Sequence, residues 1–221
     1  MNVTIGSNGT LGPESSSHSS LALKPKNSNN LTLTLINEGT IKSRVDIENT
    51  NGFQGTITVK TFENKKTGTI DGRIFMGGDG SGTISIDTFK NEGTITETHM
   101  NGNGAQAIWF KGKDNAKVHI KTFKNSGSIV GHGYDNNGNN NSKPRQGVYV
   151  QGNVDVTLFE NSGTITSEKG QGVHFEGNVH VKTFENKSGG TIESKQASNS
   201  STHPSSYAIL LVGTNSNTPT L

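Results

Sequence analysis

Three ring-bearing residues, Trp109, Tyr149 and His174, each lie at the centre of a short apolar triplet. Because successive side chains of a β-strand point to opposite faces, each central residue faces away from its two apolar neighbours. Aromatic rings offer rigid contact surfaces that suit sugar rings or the side chains of another protein. We therefore predict ligand or partner binding by these three residues and by Phe75 and Leu210, which hold the equivalent positions in related segments. The three triplets are Ile108-Trp109-Phe110, Val148-Tyr149-Val150 and Val173-His174-Phe175.

The same pattern has a structural explanation. Residues that recur at one position of stacked strands lie about 4.8 Å apart. The rings can therefore stack on one another, or lie beneath the long loops at residues 130–146 and 193–206. The sequence leaves both interpretations open.

Two histidines and an aspartate form a second candidate set: His119, Asp155 and His180 each lie between two aliphatic residues. Imidazole and carboxylate are ligands for divalent metal ions, but three ligands in a straight column converge poorly on one ion. Pairing of opposite charges on a solvated sheet face explains the residues equally well. No metal and no other cofactor is predicted.

The acidic residues do not form a catalytic pair. Glycoside hydrolysis needs two carboxyl groups about 5–9.5 Å apart, and the serines around His18 lack a Gly-x-Ser-x-Gly elbow. We predict a non-catalytic protein, with a carbohydrate-active β-helix enzyme as the alternative. The acids predicted to face outward or to lie in loops are scattered: Asp79, Asp87, Asp114, Asp135, Asp155 and Glu176.

A repeat positions all of these residues. One segment recurs with the pattern aliphatic-x-aliphatic-x-x-Phe-x-Asn, followed by Gly-(Thr/Ser)-Ile, and the triplet motif lies between its copies. Each unit holds three short stretches of alternating polarity, which predict strands, separated by Gly and Asn. The anchor residues are Leu35, Phe62, Phe89, Phe123, Phe159 and Phe184.

Three strands per repeat predict one coil of a parallel β-helix. A coil cannot bury its inner face alone, but stacked coils share a continuous narrow core. The expected fold is all-β: a right-handed three-stranded parallel β-helix, a solenoid of about six coils. The asparagine of each copy is expected to stack from coil to coil as a structural ladder, which comprises Asn37, Asn64, Asn91, Asn125, Asn161 and Asn186.

Composition agrees with a thin core. The chain of 221 residues is 28% hydrophobic and contains 29 Gly, no Cys and a formal net charge of +2. Without clustered basic residues it offers no electrostatic footprint for nucleic acid, and without a long apolar run it offers no membrane-spanning helix. The predicted organisation is a polar segment or degenerate first coil at residues 1–30, repeats at 31–215 and a truncated tail at 216–221.

The repeats, such as Phe89-Lys-Asn91-Glu-Gly93-Thr-Ile95, resemble the passenger domains of bacterial autotransporters (type V secretion). The chain is most similar to the Asn/Gly-rich adhesin-like and vacuolating-toxin-like passengers of Campylobacter and Helicobacter. No signal peptide or translocator barrel is evident, so we expect a fragment of a longer passenger. The absence of Cys suits a chain that crosses the periplasm.

The resemblance implies an outer-membrane-displayed protein at the bacterial surface. Its expected function is adhesion and virulence, through a host-cell surface protein or a glycan bound by outer-face residues and loops. A toxin-like passenger that self-associates through the solenoid is the alternative. The sequence does not identify the receptor.

Overall fold

The computed structural model describes residues 1–12, 19–26, 29–98, 106–113, 115–132, 145–195 and 207–213. Within these ranges the chain forms strands β1 to β23 and no helix. The strands belong to three sheets, which we call A, B and C, and each coil of the chain visits them in that order.

The strand bounds are as follows. Sheet A contains β1 (Asn2–Ile5), β4 (Leu31–Asn37), β7 (Thr56–Asn64), β10 (Thr83–Ile86), β11 (Phe89–Asn91), β14 (Lys117–Asn125), β17 (Val154–Asn161), β20 (Val179–Val181) and β21 (Phe184–Asn186). Sheet B contains β2 (Thr10–Leu11), β5 (Thr40–Ile41), β8 (Thr69–Asp71), β12 (Thr94–Glu97), β15 (Ser128–Gly131), β18 (Thr164–Ser167) and β22 (Thr191–Ser194). Sheet C contains β3 (Ser19–Leu23), β6 (Arg44–Asn49), β9 (Ile74–Gly78), β13 (Ile108–Lys111), β16 (Val148–Gln151), β19 (Val173–Glu176) and β23 (Ile209–Val212).

Every strand pairs in parallel with the equivalent strand of the next coil, so the fold is the predicted three-stranded parallel β-helix. The repeat motif sets the register. Phe89 pairs with Phe62 on one side and with Phe123 on the other, and Ile95 pairs with Ile70 and Ile129 in the same way. One position of the motif thus makes one straight column along the solenoid.

The interior is a narrow stack of these columns. Ring centroids of successive phenylalanines in sheet A are 4.7 Å apart for Phe62 and Phe89 and 5.1 Å apart for Phe89 and Phe123, with nearly parallel planes. Phe110 of sheet C meets Phe123 edge to face, with a centroid distance of 6.2 Å. Few apolar residues suffice because each coil contributes only a handful to this core.

Asparagines form a hydrogen-bonded ladder at the turn between sheets A and B. The side-chain Nδ2 of each donates to Oδ1 of the next at 2.8 Å, through Asn37, Asn64, Asn91, Asn125, Asn161 and Asn186. In the interior of the ladder each amide also reaches backbone carbonyls, as Asn64 Nδ2 reaches the Thr94 oxygen at 3.2 Å. The ladder thereby satisfies polar groups that the tight turn buries.

The described residues form seven coils, one more than the repeat indicates. Strands β1, β2 and β3 make the first coil, which was one of the two alternatives predicted for residues 1–30. The motif does not reveal this coil because Ile5 takes the ladder position opposite Asn37.

Candidate functional site

The predicted ring residues share one column on the outer face of sheet C. The register aligns Phe75, Trp109, Tyr149, His174 and Leu210 on five consecutive coils. The Trp109 and Tyr149 ring centroids are 5.8 Å apart and those of Tyr149 and His174 are 4.9 Å apart, with planes within about 20° of parallel. Phe75 lies 5.0 Å from Trp109 with a tilted plane. We call this set the ring column.

The ring column is not an exposed stripe. Phe75 and Tyr149 are 8% exposed and His174 is 7% exposed, while Trp109 and Leu210 are half-buried. Of the two interpretations that the sequence left open, the structure therefore shows ring-to-ring packing for Phe75, Tyr149 and His174, and their faces are not open to solvent. Stacking along the solenoid uses the faces of the rings and leaves mainly their edges toward the outside.

Two long cationic side chains also lie over the rings of the column. The Arg73 guanidinium lies 5.3 Å from the Phe75 ring centroid and 5.4 Å from that of Trp109. The Lys111 Nζ lies 5.6 Å from the Trp109 centroid. Cations over ring faces are favourable contacts, so these side chains help to hold the column in place.

The two titratable rings of the column, Tyr149 and His174, have pKa values shifted toward their neutral forms. The Tyr149 hydroxyl donates to a carboxylate oxygen of Glu176, and burial, followed by this hydrogen bond and the carboxylate charge, raises the pKa of Tyr149. Burial lowers the pKa of His174 below its usual 6.5, against the opposing charge of Glu176. Both rings are neutral near pH 7.

A column of glutamines, absent from our sequence predictions, lies beside the rings. Gln106, Gln146 and Gln171 are buried at the start of three consecutive sheet C segments. Gln146 Nε2 donates to Gln171 Oε1 at 3.2 Å and lies 3.2 Å from Nδ1 of His174. A recurring sequence of Gln, then Ala or Gly, then an aliphatic residue could have predicted this glutamine column. Its three copies are Gln106-Ala107-Ile108, Gln146-Gly147-Val148 and Gln171-Gly172-Val173.

Four buried polar atoms of these two columns lack a hydrogen-bond partner. They are Oε1 of Gln106, Oε1 of Gln146, Nε1 of Trp109 and Nε2 of His174. A buried polar group without a partner costs about 1–3 kcal/mol. Such groups are rare in native proteins and each calls for an explanation.

A buried carboxylate lies next to the ring column, on the side of the N-terminal coils. Asp46 occupies the position next to Phe75 and lies 3.5 Å from Nη2 of Arg44 and 3.9 Å from Nη2 of Arg73. It also accepts a hydrogen bond from the Ser19 hydroxyl. The sequence did not indicate this ionic cluster, because Asp46 lies in a coil whose triplet motif is degenerate.

The variable insertions of the chain leave one corner of the solenoid, between sheets B and C. The longest connections there follow β12, β15 and β22, at residues 98–107, 132–147 and 195–208. The corner between sheets A and B is kept short, as at residues 126–127 and 162–163. The long connections therefore begin and end beside the ring and glutamine columns.

The second candidate set lies on the outer face of sheet A. His119 pairs with Asp155 and Asp155 with His180 in the strand register, and His119 Nδ1 is 3.2 Å from Asp155 Oδ2. Within the described part of the chain, no group of three or more His, Cys, Asp or Glu is arranged to hold a metal ion. The geometry is that of a histidine–carboxylate contact between two exposed side chains.

Two of the candidate acids are engaged by neighbouring side chains. Asp79 pairs with Lys111 at 3.2 Å and Lys113 at 3.5 Å, and the Lys111 hydrogen bond and charge lower the pKa of Asp79. Glu176 is held by Tyr149. Candidates outside the described residues are His18, Asp114 and Asp135.

Comparison with known proteins adds no relative. No family model, no curated protein and no solved structure matches the chain significantly. Among the described residues no helix is long and apolar enough to span a membrane.

Proposed function

We propose that the chain is a non-catalytic binding segment of a passenger protein displayed on the bacterial surface, an adhesin that recognises a host-cell ligand. The ligand-binding face is the outer face of sheet C together with the insertions at the corner between sheets B and C. This corner face is the surface that we expect to contact the host-cell protein or glycan.

The observation that carries this proposal is the placement of the insertions. Solenoids commonly place variable insertions on the face that binds, while the other corners keep the stack regular. Here the longest connections, at residues 98–107, 132–147 and 195–208, all leave the corner beside the ring column. The turns between sheets A and B are short by contrast, with two residues at 126–127 and two at 162–163.

The solenoid suits this role mechanically. Parallel pairing through all seven coils fixes the spacing of the outer columns, and binding residues are best held by a rigid scaffold. The candidate acids Asp79, Asp155 and Glu176 are each paired with a neighbouring side chain of another type, which favours recognition over catalysis, because hydrolysis of a glycosidic bond needs a close carboxyl pair.

Replacement of one insertion, residues 133–144, tests the proposal. A variant in which residues 133–144 become Gly/Ser of equal length is expected to lose at least about tenfold in binding of the labelled chain to cultured epithelial cells. Its circular dichroism and melting temperature should match the unmodified chain, since loop changes perturb a scaffold little. Flow cytometry measures the binding.

A matched control carries the same Gly/Ser segment between Asn51 and Gly52, at the corner between sheets C and A. Both residues are exposed there, so the added segment should leave cell binding unchanged. Equal binding by the unmodified chain and the 133–144 variant would remove the basis of the proposal.

Self-association is a second candidate, favoured by one observation. The last described coil exposes apolar residues, with Ile209 at 36% and Leu211 at 43% exposure. Assembly through this coil predicts oligomers in sedimentation velocity that Leu211→Lys abolishes. A monomer at micromolar concentrations would contradict it.

A further inference from the structure

The connection at residues 132–147 begins against the next coil. Its first residue follows Gly131, the end of β15, and the Gly131 carbonyl accepts the backbone N–H of Glu168 at 3.0 Å. The His132 Nδ1 lies 2.9 Å from Glu168 Oε1. A backbone hydrogen bond and a side-chain contact thus hold this end of the connection on the coil that follows.

The other end of the connection rests on the same part of the next coil. The carbonyl of Arg145 accepts a hydrogen bond from the Ser167 hydroxyl, and the Gly147 amide donates to the Gln171 carbonyl at 3.1 Å. Arg145 is 7% exposed and Ser167 is fully buried. Loss of such a hydrogen bond is costly, because it leaves a buried polar group without its partner.

Gly170 brings the two backbones together at this second end. A Cβ at Gly170 would lie within 3 Å of three backbone atoms of Arg145, so a larger residue there would push the end of the connection away. Glycine is the residue that permits such a close approach. Residues 167–171 therefore contact both ends of the connection, and we call them the supporting segment.

The supporting segment is itself well fixed. It links the end of β18 to β19, whose first residue is Val173, and the Ser167 carbonyl accepts the Lys195 amide of the following coil at 2.8 Å. Gln171 is 1% exposed. Two paired strands and buried side chains thus make this short segment part of the scaffold rather than of the variable surface.

We propose that the supporting segment positions the insertion at residues 133–144 for binding to the host-cell ligand. This inference rests on the proposed function and adds positioning residues that lie outside the insertion. A loop whose two ends are held loses less conformational freedom on binding, so fixed ends favour affinity. Ser167 and Gly170 are buried and act through the ends of the connection, without contact to the ligand.

The experiment compares two glycine substitutions in the full chain. Gly163 and Gly170 flank β18, and a Cβ at Gly163 would lie within 3 Å of three backbone atoms of residues 126 and 127. Both alanine variants should therefore lose similar stability, but only Gly170→Ala displaces an end of the insertion. We expect Gly170→Ala to lower binding to epithelial cells about tenfold and Gly163→Ala to leave it unchanged, at a temperature where circular dichroism shows both folded.

Hydrogen exchange reports the displacement without reference to binding. The Gly147 amide is bonded to the Gln171 carbonyl beside Gly170. Gly170→Ala should speed exchange in a peptide that covers residues 145–147 about fivefold, while Gly163→Ala should not. Unchanged exchange in the Gly170→Ala variant would show that the supporting segment does not hold this end.

The contact at the first end supplies a second variant in case Gly170→Ala fails to fold. His132 and Glu168 are 34% and 42% exposed, so Glu168→Lys should leave the melting temperature nearly unchanged and lower cell binding about threefold. Adding His132→Glu restores a pair of opposite charges and should recover the binding. Failure of this rescue would contradict positioning through the pair.

Two results would overturn the inference while the proposed function stands. One is cell binding that is lost on replacement of residues 133–144 but is unchanged by Gly170→Ala and Glu168→Lys. The other is an equal loss of binding in Gly163→Ala and Gly170→Ala, which would reflect general destabilisation. Cell binding unchanged by replacement of residues 133–144 would remove the proposed function and the inference together.

Discussion

At the scale of single residues, the asparagine ladder and the ring column could be predicted from the repeat, and stacking of the rings was one of the two interpretations left open. The degree of burial of each residue could not be predicted. Alternation within Val148-Tyr149-Val150 places Tyr149 outward, which fixes its column. Burial depends on neighbours from other coils, such as Arg73 over Trp109, and no local pattern reports that. The glutamine column escaped prediction because each Gln precedes its strand and lies outside the alternating pattern.

Substitution of an asparagine in the interior of the ladder should lower the free energy of unfolding more than substitution at its end. Asn125→Ala removes hydrogen bonds to both Asn91 and Asn161 and leaves buried partners unpaired. We expect it to lower the free energy of unfolding by about 3 kcal/mol. Asn186→Ala, at the exposed last coil, should cost less than about 1 kcal/mol. Urea denaturation measures both, and equal losses would contradict a cooperative buried ladder.

His174 should contribute a pH dependence to stability. Burial holds its pKa below 6.5 in the folded chain, so below pH 6.5 the unfolded chain takes up a proton that the folded chain refuses. This contribution is fully present above pH 6.5 and is lost as the pH falls through the lowered pKa of the folded state. His174→Phe should therefore flatten the fall in unfolding free energy between about pH 7 and about pH 5. Parallel curves for the two proteins would show that His174 titrates normally.

At the scale of elements, the corners between the sheets differ in the length of the connections that they contain. The strands could be predicted because Phe, Ile and Asn recur in fixed order, as from Phe89 to Ile95. The first coil could be predicted only as one of two alternatives for residues 1–30, because Ile5 replaces the ladder asparagine and the strand at Thr10–Leu11 is short. The insertions carry no repeat, since the solenoid does not constrain their sequence.

Gly152 and Gly52 both have a positive φ, but only Gly152 lies against a neighbouring coil. Substitution of each therefore distinguishes the cost of backbone strain from the cost of a clash between coils. Gly152 has a φ of +80°, and a Cβ there would lie 2.0 Å from the Gly112 oxygen of the preceding coil. Gly52 has a φ of +88° with open space around it. Gly152→Ala should cost about 3 kcal/mol or more, and Gly52→Ala about 1 kcal/mol. Thermal and urea unfolding compare them, and a similar cost for both would argue against close stacking at this corner.

At the scale of the whole molecule, stability should vary along the solenoid. Each coil contacts only its neighbours, so central coils gain interfaces on both sides and terminal coils on one. The centre contains the continuous phenylalanine stack around Phe123, whereas β23 exposes Ile209 and Leu211.

Hydrogen exchange should follow this gradient. Amides of β14 and β17 should exchange only through global unfolding, and those of β22 and β23 at least about tenfold faster. Mass spectrometry of deuterated peptides measures the difference. Uniform protection from β14 to β23 would contradict coil-by-coil stabilisation.

The central claim, that the chain binds its host ligand through sheet C, can be tested most directly by blocking one face at a time. The chain has no native cysteine, so a single cysteine can carry a polyethylene glycol maleimide. Lys121→Cys places the polymer on sheet A, Thr94→Cys on sheet B and Gln151→Cys on sheet C. We predict that only the polymer at position 151 abolishes binding to epithelial cells. Full binding with that polymer in place, or loss of binding only from sheet A or sheet B, would contradict the account.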